Sequence, residues 1–392
     1  MNTYAGERIC FDADSHLMPR PDFLSRHADA RLRDVLRIDG GANGGEGFEK
    51  WFGDLVRDVD ARLDDVERTR ALEDNVIASA KGWAAHGAVD GAERSRTLDL
   101  LGFRGQLVFS TFAGHFLQSS DPDVVYGGTR AHSRAMAEFC GEDERLMAVA
   151  LIPLNDPKRA LEELDAAADL GCRGIHVPSD PPGGHRNGFS PAHVDLEPFW
   201  ARLVERQLPV LLHIGGGRLL PRPYHENGRP RPKDWLGGGE NLRAKDFPAV
   251  HHSPENFLNA LILDGVFERH PALRCGAIEL GASWVPGLMR NLDAAFDSFG
   301  KNEPLLKELS LRPSEYIQRQ VRFTPFPFED VGWLIEQAGE GVFLFSSDYP
   351  HPEGGRNPIK RFEESMDAKA IAEPARQRFY SENFCDLMGI TG

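Results

Sequence analysis

The amino-acid sequence predicts an α/β fold, a TIM-like (β/α)8 barrel with a helical insertion after the first strand. Two observations carry this prediction. Short apolar segments alternate with helical segments about eight times along the 392 residues, and no glycine-rich loop follows the first apolar segment. Alternating strands and helices are typical of parallel sheets. A doubly wound open sheet is the alternative, but it favours a glycine-rich phosphate loop, whereas this chain continues as DADSHLMPRPD.

Eight stretches are predicted as strands because each is a short apolar run bounded by turn residues or by a helical pattern. They span residues 8–14, 105–112, 146–154, 172–178, 208–215, 273–281, 320–326 and 341–348.

Helices are predicted between these strands from the spacing of their apolar residues. In DPKRALEELDAAADLG, Ala160, Leu164 and Ala167 share one face, and Gly171 ends the helix. Further helices are expected at residues 196–207, 255–270, 283–299, 328–339 and 374–389.

Two stretches do not fit the alternation of strands and helices. Residues 25–104 are helical and charged in pattern, and we interpret them as an insertion after the first strand. Residues 218–246 are basic and rich in proline and glycine. Long irregular loops in compact domains are often lids or binding loops, and we expect a lid-like loop here. With no linker in the pattern, residues 1–392 are expected to form a single domain.

Composition restricts the location and the partners of the protein. The formal charge of −15 argues against nucleic acid and anionic membranes as partners. No apolar run approaches the roughly 20 residues that span a bilayer, and the N-terminus lacks the pattern of a signal peptide. The five cysteines are dispersed and odd in number, which argues against a disulfide framework or a structural zinc site. These features predict a cytoplasmic protein with a small-molecule substrate.

Four acidic and histidine residues stand at the ends of three predicted strands. Asp14 and His16 end the first, His213 ends the fifth and Asp348 ends the last. Residues two apart in an extended segment point to the same side, and the strand ends of a barrel form one face. Each residue alone has an ordinary structural interpretation, as a turn residue or a core histidine. Their joint placement predicts a divalent metal site.

Several motifs, spread over most of the chain, are similar to those of a known enzyme family. FDADSHL, LPVLLHIG and VFLFSSDYPHPEG surround the four candidate ligands, and the segments at 146–178 and 264–293 match as well. The chain resembles the amidohydrolase superfamily, and within it the group that includes aminocarboxymuconate-semialdehyde decarboxylase and γ-resorcylate decarboxylase. The resemblance implies a metal-dependent barrel enzyme and a homodimer. Its metal would be one divalent ion, zinc first and manganese as the alternative, bound by Asp14, His16, His213 and Asp348.

The sequence departs from the resembled pattern at two strands. The predicted fourth strand, CRGIHVP, has no lysine that could bridge a second metal ion, which favours one ion. The resembled decarboxylases carry a working histidine on the sixth strand, where this chain has Glu279. Glu279 is either a proton carrier or a structural residue. Asp348 is expected to accept a proton in addition to binding the metal.

Other polar residues near the predicted strand ends are weaker candidates for catalysis or substrate binding. His176 ends the fourth strand, and His252 precedes a helix. Arg218 and Arg222 follow His213 closely, and they either clamp an anionic substrate or belong to a solvated basic loop. His351, between two prolines, is expected at the substrate-binding rim.

Three functions remain open from the sequence. A metal-dependent hydrolase acting on a small anionic, aromatic or cyclic substrate through a metal-activated water comes first, because the sixth-strand histidine is missing. A metal-dependent non-oxidative decarboxylase of an aromatic or unsaturated acid is the alternative that the resemblance favours. A non-catalytic metal-binding barrel ranks last, since all four ligand positions are filled.

Overall fold

The structure, a computed structural model, describes residues 3–38, 48–179, 190–215, 224, 228–229 and 244–391. Within these residues, seven parallel strands form one sheet in chain order. The strands are β1 (Cys10–Leu17), β2 (Phe103–Ser110), β3 (Leu146–Leu151), β4 (Gly174–His176), β5 (Val210–His213), β6 (Cys275–Ile278) and β7 (Val321–Phe323).

An eighth extended stretch, residues 342–349, lies between the two edges of this sheet, and we call it the closing segment. It forms a parallel bridge between Phe343 and Phe323 of β7, and another between Tyr349 and Ser15 of β1. The backbone N–H of His16 donates to the carbonyl of Tyr349 over 2.7 Å. The closing segment therefore joins the last strand to the first, which is the arrangement of the predicted barrel.

Helices fill most of the connections between the strands. The α-helices are α1 (Phe48–Leu63), α2 (Val66–Glu73), α3 (Gly91–Leu101), α4 (Pro122–Cys140), α5 (Pro157–Asp169), α6 (Glu197–Glu205), α7 (His252–Leu263), α8 (Val266–Arg269), α9 (Val285–Phe299), α10 (Pro313–Gln320), α11 (Val331–Ala338), α12 (Pro358–Ala368), α13 (Glu373–Gln377) and α14 (Asn383–Met388). Short 3-10 turns lie at Ala30–Leu32, Gly82–Ala84, His115–Gln118, Val194–Leu196, Phe247–Ala249, Leu305–Glu308 and Pro352–Gly354, and a π-turn lies at Arg378–Glu382.

Helix α5 shows how the sequence produces these connections. Asp156 caps its start, because the side chain accepts hydrogen bonds from the backbone N–H groups of Lys158 and Arg159. The predicted face is buried, with Ala160 and Leu164 both 0% exposed. The helix thus buries its apolar stripe. Glu163 is buried beside that stripe, where its carboxylate pairs with Arg130.

The chain between β1 and β2 contains α1, α2 and α3, in the stretch that the sequence assigned to a helical insertion. The predicted lid-like loop at 218–246 lies largely outside the described residues, which include only 224, 228–229 and 244–246 of it. None of the helices in the described part of the chain is long and apolar enough to cross a membrane.

A bulge in β1 decides which of its side chains face the barrel interior. Phe11 and Ala13 belong to an interior apolar cluster, so strict alternation would direct Asp14 and His16 away from it. The pairing with β2 shifts between Asp12 and Ser15, which adds one residue to β1. Such a bulge turns the following side chains to the other face. Asp14 and His16 consequently face the interior at the carboxyl end of the strand.

Candidate metal centre

Four side chains from β1, β5 and the end of β6 converge at the carboxyl end of the barrel. The Nε2 atoms of His16 and His213 lie 3.2 and 3.3 Å from Oδ1 of Asp14. The same two nitrogens lie 3.4 and 3.2 Å from Oε2 of Glu279. All four residues are buried, and their donor atoms lie within 4.8 Å of one another. Three of the four ligands predicted from the sequence are thus in one group, joined by Glu279.

A second group overlaps the first and contains His16, Glu279, Asp348 and His351. Oδ1 of Asp348 lies 3.5 Å from Nε2 of His16 and 3.0 Å from Nδ1 of His351. The rings of His16 and His351 stack with their centroids 3.9 Å apart. Asp348 therefore borders the first group, which it contacts at His16.

The tautomer of His213 is fixed by its own backbone. Nδ1 of His213 lies 2.8 Å from the carbonyl oxygen of Ile214, and a carbonyl can only accept a hydrogen bond. Nδ1 therefore carries the proton, and Nε2 offers its lone pair to the centre. Outer hydrogen bonds of this kind orient histidine ligands in metal sites.

The protonation states at the centre follow from burial and from neighbouring groups. Burial lowers the pKa of His16 well below its usual value, and the nearby His351 adds to this effect. Burial opposes ionisation of Asp14, but the adjacent imidazoles of His16 and His213 hold the pKa of Asp14 well below its usual range. Neutral imidazoles and an ionised carboxylate are the forms that bind a metal ion.

These residues fit a divalent ion. Neither ring nitrogen of His16 makes a well-directed hydrogen bond within the described residues, although the side chain is 1% exposed. Buried polar atoms of this kind are rare without a partner. Ligands about 2.0 to 2.2 Å from one ion lie about 3 to 3.5 Å from each other, which matches the separations at this centre. The mixture of imidazole and carboxylate donors suits zinc or manganese.

Glu279 and Asp348 share an unusual backbone conformation. Their φ angles are 54° and 51°, in the left-handed region that costs non-glycine residues about 1 to 3 kcal/mol. Hydrogen bonds hold both residues there: the N–H of Glu279 donates to Oγ1 of Thr324, and that of Asp348 donates to the carbonyl of Asp14, each over 2.9 Å. This backbone conformation directs both carboxylates toward the centre.

The loop that follows Glu279 is held by the carboxylate of Glu329. This carboxylate accepts hydrogen bonds from the backbone N–H groups of Ala282, Ser283 and Phe326 over 2.7 to 3.1 Å. It joins the end of β6 to the loop after β7, and it therefore restricts the position of Glu279.

A fully buried arginine on α3 supports both ligand-bearing segments. The guanidinium of Arg94 donates to the carbonyl oxygens of His16 over 3.1 Å and of Tyr349 over 3.2 Å. It also donates to Oε1 of Gln106 over 3.1 Å. Gln106 in turn donates over 2.7 Å to Asp12, a buried carboxylate on β1. Arg94 therefore ties β1, β2 and the closing segment together beneath the centre.

The remaining predicted residues lie at different distances from the centre. The half-buried ring of His176 lies 5.6 Å from that of His213, and burial lowers the pKa of His176 well below its usual value. His252 is exposed at the start of α7. His351 is buried among the candidate ligands, with its Nε2 atom 2.8 Å from Oγ1 of Thr111. Arg218 and Arg222 fall outside the described residues.

Sequence reasoning missed residues that act through three-dimensional contacts. Nothing in the local sequence marks Arg94 or Glu329, because their partners are far along the chain. Lys81 has a weak local signal, as the single charged residue in the apolar stretch VIASAKGWAAHGAV. That pattern indicates a lysine with a buried environment.

The amidohydrolase family model matches residues 11–383. The chain belongs to the amidohydrolase family. It is therefore a metal-dependent enzyme of the amidohydrolase type, a hydrolase or a decarboxylase. The resemblance that the sequence motifs carried is confirmed by this match.

Similar proteins include two γ-resorcylate decarboxylases. That of Rhizobium sp. (strain MTP-10005) is 27% identical over 276 residues, which are 67% of this chain and 76% of the relative. That of Rhodococcus jostii (strain RHA1) is 26% identical over 271 residues, which are 66% of this chain and 75% of the relative.

Solved structures share the barrel fold across nearly the whole chain. An amidohydrolase from Mycobacterium avium subsp. paratuberculosis K-10 has a TM-score of 0.73 at 22% identity, and the match covers 98% of this chain and 100% of that one. A 5-carboxyvanillate decarboxylase from Novosphingobium aromaticivorans, bound to manganese and 3-methoxy-4-hydroxy-5-nitrobenzoic acid, has a TM-score of 0.63 at 17% identity, with 98% of both chains covered. These likenesses confirm the predicted (β/α)8 barrel.

Proposed function

We propose that this enzyme is a metal-dependent non-oxidative decarboxylase of a hydroxylated benzoic acid. The observation that carries the proposal is its similarity to γ-resorcylate decarboxylases over three quarters of their length, 76% for the Rhizobium protein. A buried centre with two imidazoles and up to three carboxylates suits this chemistry. The proposal reverses the order that the sequence suggested, in which hydrolysis came first because the sixth-strand histidine is missing.

Asp14, His16 and His213 are the proposed ligands of one divalent ion, with Glu279 as the fourth. Glu279 takes this role because its Oε2 atom lies within 3.4 Å of both histidine nitrogens. When bound, such an ion supplies the positive charge that holds the substrate's carboxylate and a neighbouring hydroxyl oxygen. The donor set of two imidazoles and two carboxylates suits zinc or manganese, and we propose manganese because it is bound in the Novosphingobium decarboxylase.

Asp348 is the proposed proton carrier. Decarboxylation breaks the bond between a ring carbon and the carboxylate carbon, CO2 leaves, and the ring carbon gains one proton. A protonated Asp348 donates that proton from Oδ1 or Oδ2 and regains one from solvent after product release. His351 lies 3.0 Å from Oδ1 of Asp348 and would hold the carboxyl group in place. The sequence analysis expected Asp348 to bind the metal and offered Glu279 as a proton carrier. Here Glu279 is the fourth metal ligand and Asp348 carries the proton.

One sequence-based expectation is kept as a proposal beside this one. A homodimer is proposed from the family resemblance, and light scattering of the purified protein at micromolar concentration tests it, since a monomeric mass would reject it. The hydrolase alternative has no specific support among the γ-resorcylate decarboxylases that this chain resembles.

A direct assay tests the proposed function. Purified protein loaded with manganese or with zinc is incubated with 2,6-dihydroxybenzoate and related hydroxybenzoates, and CO2 and the phenol are measured together. The proposal expects equal amounts of the two products with at least one of these acids, and none after the metal is removed. Cleavage of esters, lactones or amides without release of CO2 from any acid would reject it.

A further inference from the structure

Lys81 lies at the mouth of the barrel, although it belongs to the stretch between β1 and β2. It directly precedes the 3-10 turn Gly82–Ala84. The N–H of Gly82 donates to the carbonyl of Pro350 over 2.9 Å, and the indole N–H of Trp83 donates to that of Pro19, also over 2.9 Å. The ring of Trp83 stacks on Phe112, with the centroids 6.1 Å apart.

These three contacts fix the position of the turn relative to the strands. Pro19 follows the carboxyl end of β1, Phe112 follows that of β2, and Pro350 follows the closing segment. In a barrel of this type, the active site is at the carboxyl ends of the strands. The turn therefore covers the same face as the candidate metal centre.

The ammonium group of Lys81 is buried without a hydrogen-bonded partner among the described residues. Its Nζ atom is inaccessible to solvent and makes no hydrogen bond within the described part of the chain. Its nearest aromatic contact is Tyr349, whose ring centroid is 5.5 Å away. The carboxylates of Asp348 and Glu353 act on it electrostatically, and Asp348 also contacts His16 and His351 of the centre. A buried ammonium without a hydrogen-bonded partner is costly unless a ligand supplies one.

The charge on Lys81 persists at neutral pH. Burial lowers the pKa of Lys81 to about 8, against the raising effect of Asp348. The side chain is thus a cation at pH 7. A bound anion would supply the hydrogen-bonded partner that its ammonium group lacks. Mutual attraction of a cation and a carboxylate is strong in a site that excludes water.

We propose that Lys81 binds the carboxylate of an aromatic acid substrate at the mouth of the metal centre. This inference rests on the proposed function, because it names the residue that recognises the acid group of the substrate class. It assigns a specificity role to the 3-10 turn between β1 and β2. An aromatic acid then has two recognition elements, the metal centre and the cation of Lys81 near Asp348 and Tyr349.

Binding measurements on metal-loaded protein test this role, with each Lys81 form carrying Asp348→Asn so that turnover of 2,6-dihydroxybenzoate is slow. Calorimetry compares 2,6-dihydroxybenzoate with resorcinol, which has the same hydroxyl groups on the ring but no carboxylate. Loss of one charge-assisted hydrogen bond is expected to weaken binding by roughly 10- to 150-fold. In Lys81→Met we therefore expect a loss of this size for 2,6-dihydroxybenzoate and a change of less than about twofold for resorcinol. Lys81→Arg keeps the positive charge on a larger group, and it should therefore lose less affinity for 2,6-dihydroxybenzoate than Lys81→Met does.

The controls separate this inference from the proposed function. The metal content of Lys81→Met should match that of the parent, and its melting temperature should be equal or higher because a costly buried charge is removed; both show that the centre is intact. If Lys81→Met binds 2,6-dihydroxybenzoate as tightly as the parent, or if both ligands weaken equally, Lys81 does not bind the carboxylate. If the parent binds aromatic acids in a Lys81-dependent way but releases no CO2, the proposed reaction fails while the binding role stands. If the parent binds none of the hydroxybenzoates, both proposals are rejected.

Discussion

Oε2 of Glu279 lies 3.2 Å from Nε2 of His213, across the ends of two neighbouring strands. This separation is typical of two ligands on one ion. The proton on Nδ1 of His213 leaves Nε2 directed toward the centre, and the left-handed backbone of Glu279 brings its carboxylate to the same place. The pair therefore links a residue that the sequence assigned to the metal with one that it left open between a proton carrier and a structural residue.

Replacing Glu279 and Asp348 by their amides should separate these two roles. Glu279→Gln removes a charged ligand and should reduce the metal content at limiting metal concentration. Asp348→Asn should keep the metal and lower turnover by roughly 100-fold or more, the usual contribution of a general acid or base. Metal analysis and turnover are measured on the same preparations. A Glu279→Gln enzyme that keeps its metal but loses its activity would return the proton-carrier role to Glu279.

His213→Ala should remove most of the bound metal, because it deletes an oriented imidazole ligand. The matched control is His252→Ala, since His252 is exposed at the start of α7 and belongs to neither ligand group. Both variants are dialysed against buffer with a trace of metal, and the ion is counted by mass spectrometry. A His213→Ala protein with metal close to one ion per chain would show that the centre has been assigned to the wrong residues.

Arg94→Met should destabilise the fold strongly. The change removes a buried charge and leaves the carbonyl oxygens of His16 and Tyr349 without their donor. Breaking buried interactions of this kind costs about 3 to 5 kcal/mol, which urea unfolding of the metal-free protein would measure. Arg31→Met is the control, because the side chain of Arg31 is 68% exposed and its ion pair with Asp123 is at the surface. Equal stabilities of the two variants would contradict the supporting role of Arg94.

His132 should contribute a pH dependence to stability. Burial lowers its pKa to about 3, and its Nε2 atom lies 2.7 Å from Oγ of Ser110. The unfolded chain takes up a proton on this residue near pH 6.5, whereas the folded chain does not until about pH 3. The stability that a neutral His132 provides is therefore present above pH 6.5 and is lost as the pH falls, by about 1.4 kcal/mol per pH unit.

Unfolding of the parent and of His132→Gln between pH 7.5 and about 5 isolates this contribution, since other titrating groups are common to both. The difference in free energy of unfolding should move in favour of the variant as the pH falls. A difference that stays constant across this range would show that His132 becomes protonated in the folded protein as readily as in the unfolded chain.

The strands and three of the proposed ligands follow from local sequence patterns. The apolar run that predicts β5 ends at His213, and that of the closing segment is separated from Asp348 by two serines. Barrel topology then places both residues on one face. The bulge in β1 could not be predicted, because it depends on pairing with β2 rather than on the residues of β1. Strict alternation would have directed Asp14 and His16 out of the barrel.

The long-range supports of the centre could not be predicted from the sequence. The bond from Arg94 to the carbonyl of Tyr349 joins residues that are 255 positions apart, and no periodic pattern records such a contact. Lys81 is placed at the barrel mouth by the contacts of its turn with Pro350, Pro19 and Phe112, which are distant along the chain. The sequence did show that residues 25–104 interrupt the alternation of strands and helices, but not which of their side chains approach the site.

Isotope incorporation during turnover tests the proposed reaction most directly. Metal-loaded enzyme is incubated with a panel of hydroxybenzoates, esters, lactones and amides in water enriched in deuterium and oxygen-18, and the products are identified by mass spectrometry beside enzyme-free controls. Decarboxylation predicts CO2 and a phenol with one deuterium on the carbon that carried the carboxylate, and no oxygen-18 in the phenol. Oxygen-18 in the product of an ester, lactone or amide, with no CO2 from any acid, would contradict the account and identify a hydrolase.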